Sequence, residues 1–351
     1  MSVIESVGTA VPRYCVRQEL ARDFGRAMFA EAFPDIDRLM GVFENTLVEQ
    51  RYFSSPPEWF GTEHAFSEKN QLYLESAMEI GEAAVLRCLE AAGLEPADID
   101  HFFFVSTTGL ATPSIDARLI NRLKMRNSIR RTPIWGLGCA GGAAGLARAY
   151  EYTKAFPRDR ALLLAVELCA LTFQRNDLSK SNLVATALFA DGAAAALVAG
   201  EEAARQGPQI LGSRSMLWYD ALDVMGWEIN DRGLKVVFSR DIPAIVRKCV
   251  LPNLLEFLGA HGLGLESIRH MVAHPGGARV IDAYEQAFGL DNGQMNHARN
   301  VLRRYGNMSS PTVLFVLQEF LSSGEIHPAE YGLVTALGPG FSSEMLLVQG
   351  Q

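Results

Sequence analysis

Residues 93–105 read GLEPADIDHFFFV, and residues 262–274 read GLGLESIRHMVAH. Each stretch has the pattern of a helix end, a short polar turn and a buried strand. At a shift of 169 residues the matching pairs are Leu86/Leu255, Leu89/Leu258, Gly93/Gly262, Leu94/Leu263, Ile99/Ile268 and His101/His270. We interpret this match as an internal duplication of one α/β unit.

The duplication extends to two polar residues that precede predicted helices. The sequence predicts a strand over 134–137, a helix over 143–155 and a second helix over 311–321, whose first residue is a tolerated first-turn proline. Cys139 and Asn307 are 168 residues apart, which is nearly the same shift. They therefore occupy equivalent helix N-termini in the two halves.

The remaining pattern alternates strands and helices. Continuous apolar strands are predicted near 161–166, 193–198, 332–336 and 345–348. Such strands suit sheets that are covered on both faces, so we expect a layered α/β fold. We expect an N-terminal half over 1–200, which includes a helical addition in its first seventy residues. The C-terminal half covers 201–351, and 201–235 reads as a loop-rich connection.

Composition excludes several classes of protein. The 351 residues include 32 Lys+Arg against 40 Asp+Glu, a net charge of −8, and 48% are hydrophobic. This balance excludes disorder and gives no basic field for nucleic acid or anionic lipid. No apolar run approaches the roughly 20 residues that a bilayer requires, and no secretory signal is visible, so we expect a cytoplasmic protein without membrane insertion.

The five cysteines are scattered, without a CxxC pair, which argues against structural zinc or a disulfide framework. Cys139 lies among Gly138, Gly141 and Gly142 at the start of a predicted helix. The positive helix end favours a thiolate, and the glycines leave room for a bulky substrate and for backbone N–H groups to face an oxyanion. This setting favours a nucleophile, and a buried structural cysteine is the alternative.

Two further residues complete a candidate site. His274 lies where a buried strand ends and a Pro-Gly turn begins, so its imidazole can face a cleft, and a core histidine is the alternative. Asn307 can be the N-cap of the next helix, an active-site amide, or both. Without further information, Cys139, His274 and Asn307 indicate a cysteine-dependent acyl transferase of duplicated α/β fold.

Five motifs carry a resemblance to a known family. They are GLGCAGGAAGL (136–146), LFADGAAA (188–195), VAHPGG (272–277), YGNMSSPTVLFVL (305–317) and ALGPGFSSE (336–344). In order and spacing the sequence resembles the type III polyketide synthases, the chalcone synthase-like family of the thiolase superfamily. The resemblance implies a thiolase-like duplicated αβαβα layered fold and a homodimer. The strings FPDIDRL (33–39) and FENTLVEQRYF (43–53) are similar to those of bacterial long-chain alkylpyrone and alkylresorcinol synthases.

The resemblance implies three catalytic roles. Cys139 would attack a starter acyl thioester, and His274 would stabilise its thiolate as an imidazolium. With Asn307, His274 would donate hydrogen bonds to the thioester oxygen and to the enolate left when malonyl thioester loses CO2. This chemistry needs no metal, flavin or nicotinamide, and the CoA thioesters are substrates rather than cofactors.

The resemblance also implies a set of substrate-binding residues. Phe189 would be a gatekeeper, with an ordinary core aromatic as the alternative. Val236 stands where plant enzymes have a second gatekeeping phenylalanine, and the freed volume suits an alkyl tail. Cys169 is interpreted as pocket lining rather than a second nucleophile, and core packing is its alternative. The other predicted pocket residues are Thr108, Thr172, Ser309 and Leu337.

The CoA-binding side chains depart from the plant pattern. Arg38 remains, while Gly41 and Asn45 replace the other two basic residues, and Arg38 itself can be a phosphate ligand or a solvated helix charge. The acyl donor could therefore be CoA-bound or ride on an acyl carrier protein.

The resemblance implies two or three malonyl-CoA additions to a long-chain fatty acyl-CoA, followed by closure to an alkylpyrone or alkylresorcinol. The alternatives are a single condensation, as in ketoacyl-carrier-protein synthase III, and a non-catalytic acyl-binding protein.

Overall fold

The computed structural model describes residues 1–238, 242–290 and 293–351. Within these ranges the strands are β1 (Val3–Ala10), β2 (Tyr14–Arg17), β3 (Gln50–Phe53), β4 (His101–Val105), β5 (Arg130–Ile134), β6 (Arg160–Leu168), β7 (Asp191–Ala199), β8 (Gln209–Leu217), β9 (Met225–Asn230), β10 (Gly233–Phe238), β11 (Ile268–Ala273), β12 (Tyr331–Gly338) and β13 (Ser342–Gln349). The helices are α1 (Gln18–Phe29), α2 (Ile36–Leu39), α3 (Gly41–Asn45), α4 (Phe66–Ala92), α5 (Ile115–Arg122), α6 (Gly141–Ala155), α7 (Lys180–Leu188), α8 (Ile242–Ile245), α9 (Leu251–Gly259), α10 (Ala278–Phe288), α11 (Asn296–Tyr305) and α12 (Ser310–Ser323).

Nine strands form one mixed sheet in the order β11-β12-β13-β8-β1-β7-β6-β4-β5. The run β4-β6-β7-β1 is matched by β11-β12-β13-β8, and the first pair is parallel in each run while the later pairs are antiparallel. Strands β4 and β11, which carry the duplicated sequence, occupy corresponding places. The predicted duplication is confirmed by this arrangement.

Helices α6 and α12 form a layer between the two halves of the sheet. Each contacts strands of both halves, and nearly every residue of their N-terminal turns is buried. A helix that is apolar on all sides belongs in such an interior layer. The two helices approach so closely at Gly142 that a methyl group there would lie 2.2 Å from the Ser310 carbonyl oxygen. Their N-termini therefore meet, which places Cys139 beside the loop that carries Asn307.

The first seventy residues are more than an addition to the core. β1 lies in the middle of the sheet, between β7 and β8, and pairs antiparallel with β7. Its sequence, VIESVGTA, alternates between buried and half-buried positions, so it lacks the continuous apolar signal of its neighbours. The helical part, α1 to α3, does form a separate small core with Leu183 and Ala187 of α7.

Residues 201–235 are not a loop-rich connection. They contain β8, which pairs with β13, together with β9 and the first half of β10, and β9 and β10 form a separate two-stranded hairpin. Gly212, Ser213, Arg214 and Ser215 interrupt the apolar pattern of β8, so its strand character depends on pairing with β13. The strand predicted over 134–137 ends instead at Ile134, and the helices around 143–155 and 311–321 are two to three residues longer than predicted. Within the described residues, no helix is both long and apolar enough to cross a bilayer.

Candidate active site

Cys139 lies in a tight turn that leads directly into α6. The turn spans Gly138–Ala140, and the Gly138 N–H donates to Thr107 Oγ1 at 3.1 Å. Pro339, in the loop after β12, packs against Gly138. Part of the Cys139 surface stays exposed to solvent. The turn thus presents the sulfur at the junction between β12, α6 and α12.

The loop between α11 and α12 brings Asn307 and Ser309 to this sulfur. Both side chains lie within hydrogen-bonding range of Cys139 and lower its pKa. The Asn307 Oδ1 accepts from the Ser309 N–H at 2.7 Å, and its Nδ2 donates to the Gly276 carbonyl at 3.1 Å. Ser309 has φ +57°, an unfavourable backbone conformation of the kind that clusters at functional sites. Ser309, not Asn307, is the N-cap position of α12, so the amide faces the site instead of capping the helix.

His274 follows the last residue of β11 and is 3% exposed. Its backbone N–H donates to the Thr335 carbonyl at 2.8 Å, and its backbone carbonyl accepts from the Gly276 N–H. Because Asn307 binds the Gly276 carbonyl, the His274 loop and the Asn307 loop are held together. Among the described residues, neither imidazole nitrogen has a hydrogen-bond partner. Cys139, His274 and Asn307 thus come from three distant segments and converge on one region.

The pKa shifts of Cys139 and His274 run against the thiolate–imidazolium pair that the resemblance implies. Burial raises the pKa of the Cys139 thiol to about 11, and the nearby Glu167 carboxylate raises it further, although the Ser309 and Asn307 hydrogen bonds oppose this. Burial alone lowers the pKa of His274 to about 3. Both shifts favour the neutral thiol and the neutral imidazole, because desolvation outweighs the helix-end effect. Ionisation has to accompany substrate binding or attack.

Glu167 is a buried carboxyl at the site that the sequence analysis did not assign. Its Oε2 accepts from the Thr107 N–H at 2.9 Å and from Thr108 Oγ1 at 2.7 Å, and its Oε1 accepts from Ser310 Oγ at 2.8 Å. Burial raises its pKa to about 7. The signal that could have found it is a lone acid in the otherwise continuous apolar strand β6.

Replacing Glu167 with glutamine should change how stability depends on pH. The unfolded chain loses this proton near the ordinary glutamate pKa, whereas the folded chain holds it until about pH 7. Stability of the wild type therefore decreases as pH rises from about 4.5 to about 7, by up to about 3 kcal/mol from this group. In Glu167→Gln this contribution is absent. Urea unfolding of both proteins at pH 5 and pH 8 measures it, and parallel pH dependences would contradict it.

An apolar cavity of about 280 Å³ is lined by Phe189 and Cys169, which lie near the site, but not by Cys139, His274 or Asn307 themselves. Four of the predicted pocket residues line it, namely Cys169, Thr172, Phe189 and Val236. The other apolar lining residues include Leu20, Phe24, Phe53, Phe60 and Phe173. The cavity is therefore walled by α1, β3 and the segment that follows it, the turn after β6, α7 and the β9–β10 hairpin.

The remaining predicted pocket residues lie elsewhere. Thr108 donates to Glu167, accepts from the Leu168 N–H at 2.8 Å, and does not line the cavity. Ser309 contacts Cys139. Leu337 is 3% exposed in β12 and packs in the main core rather than against the cavity.

The hairpin that carries Val236 also contributes two aromatic side chains near the cavity. Phe189 packs against Trp227 and Phe238, with ring centroids 5.9 and 5.4 Å apart. Both partners lie on the hairpin that carries Val236. Arg38, in α2, is exposed and forms an ion pair with Asp35, so its charge is already balanced. Its role as a phosphate ligand stays a prediction.

Comparison with known proteins places this fold and site in one class. Residues 1–202 match the model for the N-terminal domain of chalcone and stilbene synthases, and residues 214–351 match the model for the C-terminal domain. The chain is 48% identical, over 99% of its length and 98% of the relative, to a protein of Bacillus subtilis (strain 168) provisionally named a chalcone synthase.

Two further relatives are named for one reaction. The chain is 38% identical to a 1,3,6,8-tetrahydroxynaphthalene synthase of Streptomyces peucetius subsp. caesius, over 99% of this chain and 92% of that protein. The crystal structure of 1,3,6,8-tetrahydroxynaphthalene synthase from Streptomyces coelicolor A3(2), a bacterial type III polyketide synthase, superposes with a TM-score of 0.95 at 30% identity and covers 99% of both chains.

The layered, duplicated fold with its converging cysteine, histidine and asparagine is that of the thiolase superfamily. Within that superfamily the chain belongs to the chalcone and stilbene synthase family and is a type III polyketide synthase.

Proposed function

We propose that this enzyme condenses a long-chain acyl-CoA starter with two or three malonyl-CoA units and closes the product to an alkylpyrone or alkylresorcinol. The observation that carries the proposal is the apolar cavity beside the catalytic loop. Phe189 lines this cavity and is joined to Asn307 by two backbone hydrogen bonds through its neighbours, each 2.9 Å long. Cys139, His274 and Asn307 do not themselves line this cavity, so we expect the tail of a starter attached to Cys139 to reach it at Phe189.

Starter loading begins with neutral Cys139 and His274. The Cys139 sulfur attacks the thioester carbonyl carbon, a new C–S bond forms, and His274 takes the thiol proton. The Asn307 amide donates to the oxyanion, and Ser309 fixes the amide by donating its N–H to Oδ1. The bond to CoA then breaks, and the imidazolium returns the proton to the departing CoA thiolate.

Extension uses the same donors. Malonyl-CoA loses CO2, and the electron pair of the broken C–C bond remains as an enolate whose oxygen accepts hydrogen bonds from His274 and Asn307. The enolate carbon attacks the acyl group on Cys139, and the Cys139 thiolate leaves and takes up a proton from solvent, which restores the neutral thiol. The CoA-bound product is two carbons longer. In this scheme the protein supplies all the donors, so no cofactor is called for, and the acyl donor can be CoA or a carrier protein.

Product mass tests the proposal against its alternatives. Purified enzyme is incubated with acyl-CoAs of graded length and labelled malonyl-CoA. Two or three malonyl units on a long starter support the proposal, whereas one unit indicates a single-condensation synthase. An aromatic product without a tail would place the enzyme with the tetrahydroxynaphthalene synthases that it is similar to. Failure of long-chain acyl-CoA to acylate Cys139 would overturn the long-chain starter, and only failure of every acyl-CoA and of malonyl-CoA to do so would indicate a non-catalytic acyl-binding protein.

Filling the cavity should shorten the preferred starter. Each buried CH2 contributes about 0.8 kcal/mol, so several methylenes in this cavity outweigh one lost polar contact, and long acyl-CoA should be preferred to acetyl-CoA or aromatic esters. Val236→Phe and Cys169→Phe each place a ring in that space. We expect both variants to shift product profiles toward shorter tails while keeping turnover on the shortest starter, which is the internal control. Unchanged chain-length profiles in both would show that the tail lies elsewhere.

We also propose that the enzyme is a homodimer. β5 is an edge strand with unpaired backbone groups, and Trp135, which follows it, is 50% exposed. A second copy packing against this edge would cover them and place the two sheets side by side. Light scattering at micromolar concentration should give about twice the chain mass of 38.4 kDa, and a monomer would refute the dimer.

A further inference from the structure

A buried guanidinium, that of Arg51, lies next to the backbone of Phe189 and of the loop that carries Asn307. Arg51, on β3, is 1% exposed. Its Nη1 donates to the carbonyls of Thr186 at 2.7 Å and Phe189 at 2.9 Å, and its Nη2 donates to Gln18 Oε1 at 3.0 Å. A buried charge is costly unless it is hydrogen-bonded, so this cluster fixes both the arginine and the groups that it contacts.

Arg51 belongs to a set of donors that satisfies the C-terminal carbonyls of α7. The last carbonyls of a helix have no partner within the helix, and a cation is favoured there. The donors are Arg51 for the carbonyls of Thr186 and Phe189, Gln18 Nε2 for Ala187 at 2.9 Å, and the Asn307 N–H for Leu188 at 2.9 Å. The end of α7 and the start of the catalytic loop are thus held by one cluster.

This cluster connects Phe189 to Asn307 directly. The Ala190 N–H donates to the Asn307 carbonyl at 2.9 Å, so the two segments form a short parallel bridge. The aliphatic part of Arg51 also packs under Gly306, where a methyl group would lie 2.8 Å from Arg51 Cγ. A displacement of Arg51 would therefore move the backbone on both sides of the bridge.

A buried carboxylate extends the cluster to the cavity wall. Asp191 attracts Arg51 electrostatically. Its Oδ1 accepts from the Ala170 N–H at 2.8 Å, next to Cys169, and its Oδ2 accepts from the Ser54 N–H and hydroxyl. Arg51 thus holds the end of α7 beside Phe189, and Asp191 holds the turn beside Cys169. Phe189 and Cys169 both line the cavity proposed for the acyl tail.

We infer that Arg51 is a positioning residue that sets the Asn307 amide and the Phe189 ring together. The inference rests on the roles proposed above for those two residues. It follows that malonyl decarboxylation and starter-length selection, although they use different side chains, depend on the same buried guanidinium.

Arg51→Met and Arg51→Lys in the full-length enzyme test this coupling. Each rate is expressed per active site, counted as one per correctly folded chain by size-exclusion chromatography and circular dichroism. In Arg51→Met, decarboxylation of malonyl-CoA per site should fall by about tenfold to a hundredfold, the usual cost of a misplaced catalytic group, and the product profile should broaden. Arg51→Lys keeps the charge and some of the hydrogen bonds, so it should recover part of both.

Arg160→Met is the matched control, because it removes an arginine that pairs with the buried side chain of Glu5. Arg160 is the first residue of β6, at the end of the strand away from Glu167 and the site. We expect it to lower stability but leave both readouts per site unchanged. If Arg51→Met does not fold, Arg51→Lys and Gln18→Leu carry the test. Normal decarboxylation per site and an unchanged profile in the folded variants would overturn the inference alone. A wild-type enzyme that does not decarboxylate malonyl-CoA would overturn the proposed function, and the inference with it.

Discussion

Cys139→Ala is expected to reduce polyketide formation to background, a loss on the order of a millionfold if it resembles the removal of other enzyme nucleophiles. Without the sulfur no acyl-enzyme can form, so condensation has no electrophile held beside the enolate. The measurement is product formation from acyl-CoA and labelled malonyl-CoA, followed by mass spectrometry of the intact protein for the acyl adduct.

The fold should survive this change. Alanine fits the Gly138–Ala140 turn, and the turn is held by the Gly138 hydrogen bond to Thr107 rather than by the Cys139 side chain. Circular dichroism and the melting temperature are therefore the controls. Product formation by Cys139→Ala at more than a trace of the wild-type rate would contradict the nucleophile assignment.

His274→Ala and Asn307→Ala should each slow malonyl-CoA decarboxylation by about 100-fold to 1000-fold, because each removes one donor to the enolate oxygen. The assay is CO2 release from labelled malonyl-CoA without a starter, so it is independent of starter identity. Asn307→Ala also removes the amide that binds the Gly276 carbonyl and the Ser309 N–H, so its loss should be at the upper end of this range.

Cys139→Ala is the matched comparison for these two variants. It keeps both enolate donors and should release CO2 while forming no polyketide, which separates decarboxylation from condensation. If His274→Ala or Asn307→Ala decarboxylates at the rate of Cys139→Ala, the role assigned to that residue is wrong.

Short stretches of sequence were enough to predict the internal duplication and the three candidate site residues. The matched stretches around His101 and His270 predicted a duplication, and β4 and β11 occupy corresponding places in the sheet. The glycine-flanked Cys139, the strand end at His274 and the loop at Asn307 are each visible in a few consecutive residues, because turns and strand ends constrain residue types locally. The sequence could therefore name the candidate triad before its members were placed together.

Long-range packing determined the rest. β1 and β8 have weak apolar patterns, and only their partners make them central strands. The pKa values of Cys139, His274 and Glu167 depend on how much protein surrounds them, which no single segment specifies. The sequence by itself determined the repeat, the family and the residues able to do the chemistry, since these are properties of short stretches. Tertiary structure alone decided the protonation states, the cavity beside Phe189 and the place of Arg51, because desolvation and hydrogen bonds between distant segments exist only once the chain has packed.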